Sequence, residues 1–221
     1  MIARRALPAL FVASAWASAW TMPALAQRLS PLEATAPEAA PLLARLRAGG
    51  HTLFFRHADT AGEPCDRTYR LGDRAGQRNI SPRGRQQSAR IGARLRELGV
   101  PVALPVLAGP VYRARDTAEL AFGAENVVVT EGLLADDYSG PRLAWVLDQH
   151  RRLLAEIPPP GVNRVLVGHR TPPIMIMGDP VAGRAFPEGG ALVVEPLGPE
   201  GFRLHGIVEF APIPGGGFHA C

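Results

Sequence analysis

Apolar positions along the chain follow two alternating rhythms. Short, almost unbroken apolar runs at 52–56, 106–108, 126–130 and 164–168 read as buried strands, and between them apolar residues recur every three to four positions, as on one face of a helix. The first helical stretch, EAAPLLARLRAGG from Glu38, stops at Gly49-Gly50. Ser81-Pro82 opens the second, with a serine to cap the first free N–H groups and a proline where a missing N–H costs nothing. Ile91, Leu95 and Leu98 then recur at helical spacing, and Gly99 ends the run. A third helix is predicted from Pro110 to about Phe122, closed by Gly123. A fourth, Pro141 to Ile157, places Leu143, Val146, Leu147, His150, Leu154 and Ile157 on one face. A short helix at 172–177 and two closing strands, 191–195 and 203–210, complete the pattern. Strands apolar on both faces that alternate with helices predict an α/β fold, a three-layer αβα sandwich around a mainly parallel central sheet.

The two ends and one internal stretch break the rhythm. Arg4 and Arg5 precede an apolar run from Ala6 to Trp20, and Ala24-Leu25-Ala26 offers the small-x-small pattern of a signal peptidase site. Residues 1–26 are therefore expected to be a signal peptide cleaved after Ala26, with the mature chain periplasmic or secreted. The apolar run is shorter than the ~20 residues of a spanning helix, so no membrane span is expected after cleavage. Residues 27–38, rich in Pro, Ala and Ser, read as a tether, 39–213 as one domain, and 214–221 as a flexible tail. The stretch 58–80 has no periodicity and far exceeds the ~4–6 residues of an ordinary connection, which marks a functional loop.

Composition narrows the partners. All 24 basic residues are arginine, and loss of Arg4 and Arg5 with the leader takes the formal net charge from +4 to +2, too balanced for a general nucleic-acid binder. Arg67, Arg70, Arg74, Arg78, Arg83 and Arg85 nevertheless crowd into nineteen residues, a rim suited to an anionic substrate with more than one charged group. Cys65 and Cys221, the two cysteines, are candidates for one disulfide in an exported protein. The chain offers no reading of oligomeric state.

Ligands of open α/β sheets bind beyond the carboxyl ends of the strands. The strand at 52–56 ends in Arg56-His57, the one at 106–108 leads into GPVYRARDTA, and the one at 164–168 ends in GHR. If these strands are neighbours, Arg56, His57, Arg113 and His169 converge on one place. Two guanidinium forks suit the oxygens of a phosphoryl group, and an imidazole can attack its phosphorus. His150 belongs to its helix's apolar stripe. His51, His205 and His219 lack metal-ligand spacing, so neither a metal nor another cofactor is expected, and arginines must supply the positive charge.

These motifs resemble the histidine phosphatase superfamily, the phosphoglycerate mutase-like proteins, and within it a small exported phosphatase. Its RH pair is matched by Arg56-His57, its LSxxGxxQA helix start by ISPRGRQQS from Ile80, its SPxxRAxxTA segment by GPVYRARDTA from Gly109, and its late strand ending in His by VLVGH from Val165. The resemblance implies a phosphohistidine formed on His57, with Arg56, Arg113 and His169 on the phosphoryl oxygens and a small phosphorylated molecule as substrate. The family's proton donor lies in an LxExxxG stretch, matched by LADDYSG from Leu134 with Asp for Glu. Asp136 is the first choice for this role, and Asp137, Asp59 and Glu188 are alternatives. Two departures stand out. Gly109 replaces the family's serine, leaving a backbone N–H as its substitute, and Arg170 follows His169 where a small residue is usual, with a side chain expected in solvent. Phosphoglycerate mutase-type transfer and a non-catalytic anion-binding module remain alternative readings of the same fold.

Overall fold

The computed structural model of the protein describes residues 27–217. The expected leader, 1–26, and the chain from 218 on, with His219 and Cys221, lie outside the described residues. Seven strands among them form one sheet: β1 (Leu32–Glu33), β2 (Thr52–Arg56), β3 (Val106–Ala108), β4 (Val127–Val129), β5 (Arg164–Gly168), β6 (Gly190–Pro196) and β7 (Phe202–Glu209), in the order β1-β7-β6-β2-β5-β3-β4. Only β6 runs against its neighbours; the other pairings are parallel, as expected.

Helices cover both faces. Leu53 and Phe55 of β2 and Val165 and Val167 of β5 pack on one side with Leu46 of α1 (Ala40–Ala48), Ile91 and Leu95 of α2 (Pro82–Glu97) and Ala118 of α3 (Tyr112–Phe122). Phe54 and Leu166 point the other way. They meet Phe186, Leu154 of α5 (Leu143–Ala155), and Ile174 and Met177 of α6 (Thr171–Met177). Each of these large side chains contributes roughly 1.5–3 kcal/mol on burial. A one-residue slip of β2 would exchange its two sets of contacts, so the register is strongly specified.

Register and helix starts together position the cleft. Strands β2, β5 and β3 are adjacent, which meets the condition for their ends to converge. The His57 N–H donates to Gly168 O at 3.0 Å and the Gly109 N–H to Val167 O at 2.9 Å, so the three chain exits are tied together. Ser81 caps α2 by accepting from the Gly84 N–H at 2.9 Å, and its hydroxyl donates to Asp59 Oδ2 at 2.5 Å. A Cβ at Gly84 would run into the Asp59 carbonyl oxygen, which is why this turn takes glycine.

Three expectations need correction. Residues 27–38 are not a free tether: β1 pairs in parallel with β7, and the Leu29 N–H donates to Pro180 O at 2.9 Å. The outer edge of β7 would otherwise present unpaired backbone groups, and this segment satisfies some of them. The described part of the tail is also docked, since Gly217 O accepts from the Glu188 N–H at 2.9 Å. Glycine-rich backbone can make such contacts without any apolar side chain to announce them. Finally, the helix expected over 141–157 is α5, ending at Ala155 and leaving Ile157 exposed, and one turn of helix, α4 (Asp136–Ser139), precedes it. Ile157 stands before Pro158, whose ring disfavours helical backbone in the residue ahead of it.

Candidate active site

The three strand ends deliver Arg56, His57, Arg113 and His169 to one cleft of about 330 Å³, also lined by Tyr69, Arg78, Asp136, Asp137, Arg170 and Thr171. The first four are all buried. The His57 and His169 rings lie 5.5 Å apart between centroids, tilted at 55°.

A buried guanidinium requires a partner, because desolvation of the charge is otherwise uncompensated. Arg56 donates through Nη1 to Phe186 O at 3.0 Å and Gly217 O at 3.1 Å, and through Nη2 to Glu188 Oε1 at 3.2 Å. Burial still lowers its pKa to about 10, with Glu188 opposing the shift and Arg170, Arg78 and Arg113 adding to it. Arg113 Nη1 donates to both oxygens of Asp66, at 3.1 and 2.9 Å. Burial pushes the Asp66 carboxyl upward, but hydrogen bonds from Tyr138, the Arg78 N–H and Arg113 outweigh it and hold the group below its usual range.

The imidazoles are kept neutral. Burial, then Arg56, Arg113 and His169, hold the His57 pKa well below 6.5. His57 Nδ1 lies 2.9 Å from Ala58 O. A carbonyl can only accept, so in the neutral ring Nδ1 carries the proton and Nε2 carries the lone pair. Burial followed by the charge of Arg113 depresses His169 in the same way. Its Nε2 is buried without a hydrogen-bond partner among the described residues. Thr117 links the two sides of the cleft: its hydroxyl donates to Arg113 O at 2.7 Å and accepts from the Ala58 N–H at 2.9 Å.

Of the four carboxylates named from the sequence, Asp136 and Asp137 line the cleft. Asp136 is half-buried at the start of α4, and burial with the neighbouring charge of Asp137 raises its pKa. Asp137 is exposed. Asp59 and Glu188 are placed elsewhere. Asp59 accepts from Ser81 beneath α2, and Glu188 spends its oxygens on Arg56 and on the Thr60 hydroxyl at 3.0 Å and N–H at 3.3 Å.

Other expectations divide. Of the six clustered arginines only Arg78 lines the cleft. Arg74 instead pairs with Asp116 at 2.5 Å, and Arg83 approaches Asp59 at 3.7 Å. Arg170 lines the cleft and donates to Gly183 O rather than standing in solvent. The Gly109 N–H cannot replace a serine hydroxyl, because it is spent in the sheet, and a side chain there would collide with Leu133 O. His150 is a core residue, its Nδ1 2.9 Å from Val146 O. Among the described residues no group of three or more His, Cys, Asp or Glu is placed to hold a metal ion, and no helix is long and apolar enough to cross a membrane. Cys65 is disulfide-bonded, and its expected partner lies outside the described residues. Sequence reasoning missed Asp66, whose only local signal is its place in the long loop, and the supporting role of Glu188.

The family model described as histidine phosphatase superfamily (branch 1) matches residues 52–136. No curated protein matches the chain at a significant level. Among solved structures, an alpha-ribazole-5'-P phosphatase candidate from Escherichia coli K-12 is 16% identical, with a TM-score of 0.51 over 74% of this chain and 98% of its own. The protein histidine phosphatase SixA complexed with tungstate is 15% identical, with a TM-score of 0.49 over 72% and 97%. A mycobacterial glucosyl-3-phosphoglycerate phosphatase is 18% identical, with a TM-score of 0.44 over 78% and 99%.

Proposed function

We propose, from the match of residues 52–136 to the histidine phosphatase superfamily model, that the protein is a metal-independent phosphomonoesterase that works through a phosphohistidine on His57 and acts on a small phosphorylated substrate outside the cytoplasm. The observation that carries this reading is the pairing of a neutral His57, its Nε2 lone pair set by the Nδ1 bond to Ala58 O, with two carboxylate-anchored arginines in the same cleft. The leader-like residues 1–26 support the location.

In the first step His57 Nε2 forms a bond to phosphorus as the ester P–O bond breaks, and the departing oxygen takes a proton from Asp136. In the second, water attacks phosphorus, the N–P bond breaks, the Asp136 carboxylate accepts the water proton, and inorganic phosphate leaves. Arg56, Arg113 and His169 hold the three non-bridging oxygens throughout. Their prearranged charge is the main source of transition-state stabilisation in this scheme. The raised pKa of Asp136 suits a group that must begin the cycle protonated.

Hydrolysis of para-nitrophenyl phosphate in EDTA tests the proposal. The wild-type protein is expected to be active and His57→Ala inactive. Wild-type silence across a broad panel of phosphomonoesters, with anion binding retained, would assign a binding module instead.

A further inference from the structure

Four guanidinium groups line the cleft, and they fall into two pairs. Arg56 and Arg113 each meet a buried carboxylate, Glu188 and Asp66. Arg78 and Arg170 meet none among the described residues. Arg78 Nη1 donates to Pro64 O and Arg170 Nη2 to Gly183 O, carbonyls that fix the side chains without cancelling their charge. The Nε atom of each is buried and without a hydrogen-bond partner among the described residues. Asp136 and Asp137 line the same cleft, but neither forms an ion pair with Arg78 or Arg170 among the described residues.

The two pairs also differ in origin. Arg56 is the last residue of β2 and Arg113 stands in the first turn of α3, both within the motifs read from the sequence. Arg78 comes from the long loop, with its backbone N–H on Asp66 at 2.6 Å, and Arg170 is the residue that precedes α6. Neither position belongs to the four motifs that assign the phosphoryl pocket. The cleft, at about 330 Å³, is roughly ten times the ~30 Å³ share of one water molecule, leaving room beyond a phosphate's own atoms. Burial lowers the pKa of both side chains; at Arg78 the charge of Arg113 adds to the shift, and Glu188, Asp66 and Asp137 oppose it.

We propose that Arg78 and Arg170 form a second anion seat in this cleft, and that the substrate carries a further anionic group, a carboxylate or second phosphate, beside the phosphoryl group presented to His57. The inference rests on the phosphatase reading for which group faces His57, but the seat itself is a matter of binding. It also gives the arginine cluster a narrower meaning, since one of its six members contributes and the other member of the seat lies far along the chain.

Calorimetric binding of inorganic phosphate and of methylenediphosphonate, a non-hydrolysable diphosphate, tests the seat without reference to turnover. Wild-type protein is expected to prefer the diphosphonate by about tenfold or more, and Arg78→Gln/Arg170→Gln to bring that ratio close to one. Arg78→Lys/Arg170→Lys, which keeps the charge, is expected to retain most of the preference. Should the double glutamine variant fail to fold, Arg170→Gln alone is expected to lower the ratio several-fold. A wild-type ratio near one, or an unchanged ratio in the glutamine variants because both affinities fall together, would overturn the proposal and return these arginines to the phosphoryl pocket. A protein with the preference intact but no phosphatase activity would instead count against the enzyme reading alone.

Discussion

Asp66 accepts from Nη1 of Arg113 with both carboxylate oxygens, at 3.1 and 2.9 Å, and the same carboxylate takes the Tyr138 hydroxyl at 2.5 Å and the Arg78 N–H at 2.6 Å. One buried anion thus joins the long loop, α3 and α4 around the phosphoryl pocket. Asp66→Asn leaves Arg113 buried without its counter-charge, a change that typically costs about 3–5 kcal/mol. Urea unfolding should show a loss of that order, together with weaker phosphate binding. Asp116→Asn, which breaks the pairing with the half-exposed Arg74, should cost no more than ~1 kcal/mol.

Asp136 is expected to show itself in the dependence on leaving group. A para-nitrophenolate departs readily without a proton, whereas an alkoxide does not. Asp136→Asn should therefore slow alkyl phosphates by roughly 10²–10⁴-fold and para-nitrophenyl phosphate much less. The pH profile follows in sign. Activity needs Asp136 protonated, with a pKa raised above the ordinary carboxyl value, and His57 neutral, with a pKa well below 6.5. Wild-type kcat on alkyl phosphates should fall as pH rises through the Asp136 pKa, with no loss on the acid side near pH 6.5, and Asp136→Asn should abolish the alkaline fall.

Buried neutral histidines tie stability to pH. An unfolded imidazole takes up a proton near pH 6.5, whereas burial lowers His150 in the folded protein to about 4. Between those values the unfolded state binds more protons, so stability falls as pH drops. His150→Leu removes one such group, and its unfolding free energy should be less steep than wild type by about 1.4 kcal/mol per pH unit within that window. Equal slopes between pH 4.5 and 6 would contradict the assignment.

The docked tail makes its own prediction. Gly217 O is one of the acceptors that hold Arg56 in place. In a Cys65→Ser background, which already lacks the disulfide expected with Cys221, a chain ended after Pro214 loses that acceptor and should show KM for para-nitrophenyl phosphate raised about tenfold over the full-length control. An unchanged KM would mean that Phe186 and Glu188 suffice to position the guanidinium.

Much of this architecture was legible because it is written in local pattern. Unbroken apolar strands require cover on both faces, and Leu53, Phe54 and Phe55 receive it from opposite sides of the sheet. The RH pair and the GHR triplet stand where strands end, so Arg56, His57 and His169 could be placed by rule, and Arg113 by its short distance past β3. What escaped notice depends on distant partners. Nothing in the sequence near Asp66 points to Arg113, 47 positions away, and nothing near Glu188 points to Arg56, 132 positions away. The β1 segment and the tail were misread because they contribute backbone rather than apolar side chains. Arg170 was misplaced because a charged residue after a strand reads as solvent-facing unless the cleft around it is known.

The most direct test of the account is to quench the protein during turnover of a ³²P-labelled phosphomonoester, isolate the labelled protein and map the label by mass spectrometry. The account predicts a phosphoryl group that is acid-labile and base-stable, carried on His57 and absent from His57→Ala. Turnover with no labelled protein at any quench time, or a label on a residue other than His57, would contradict it.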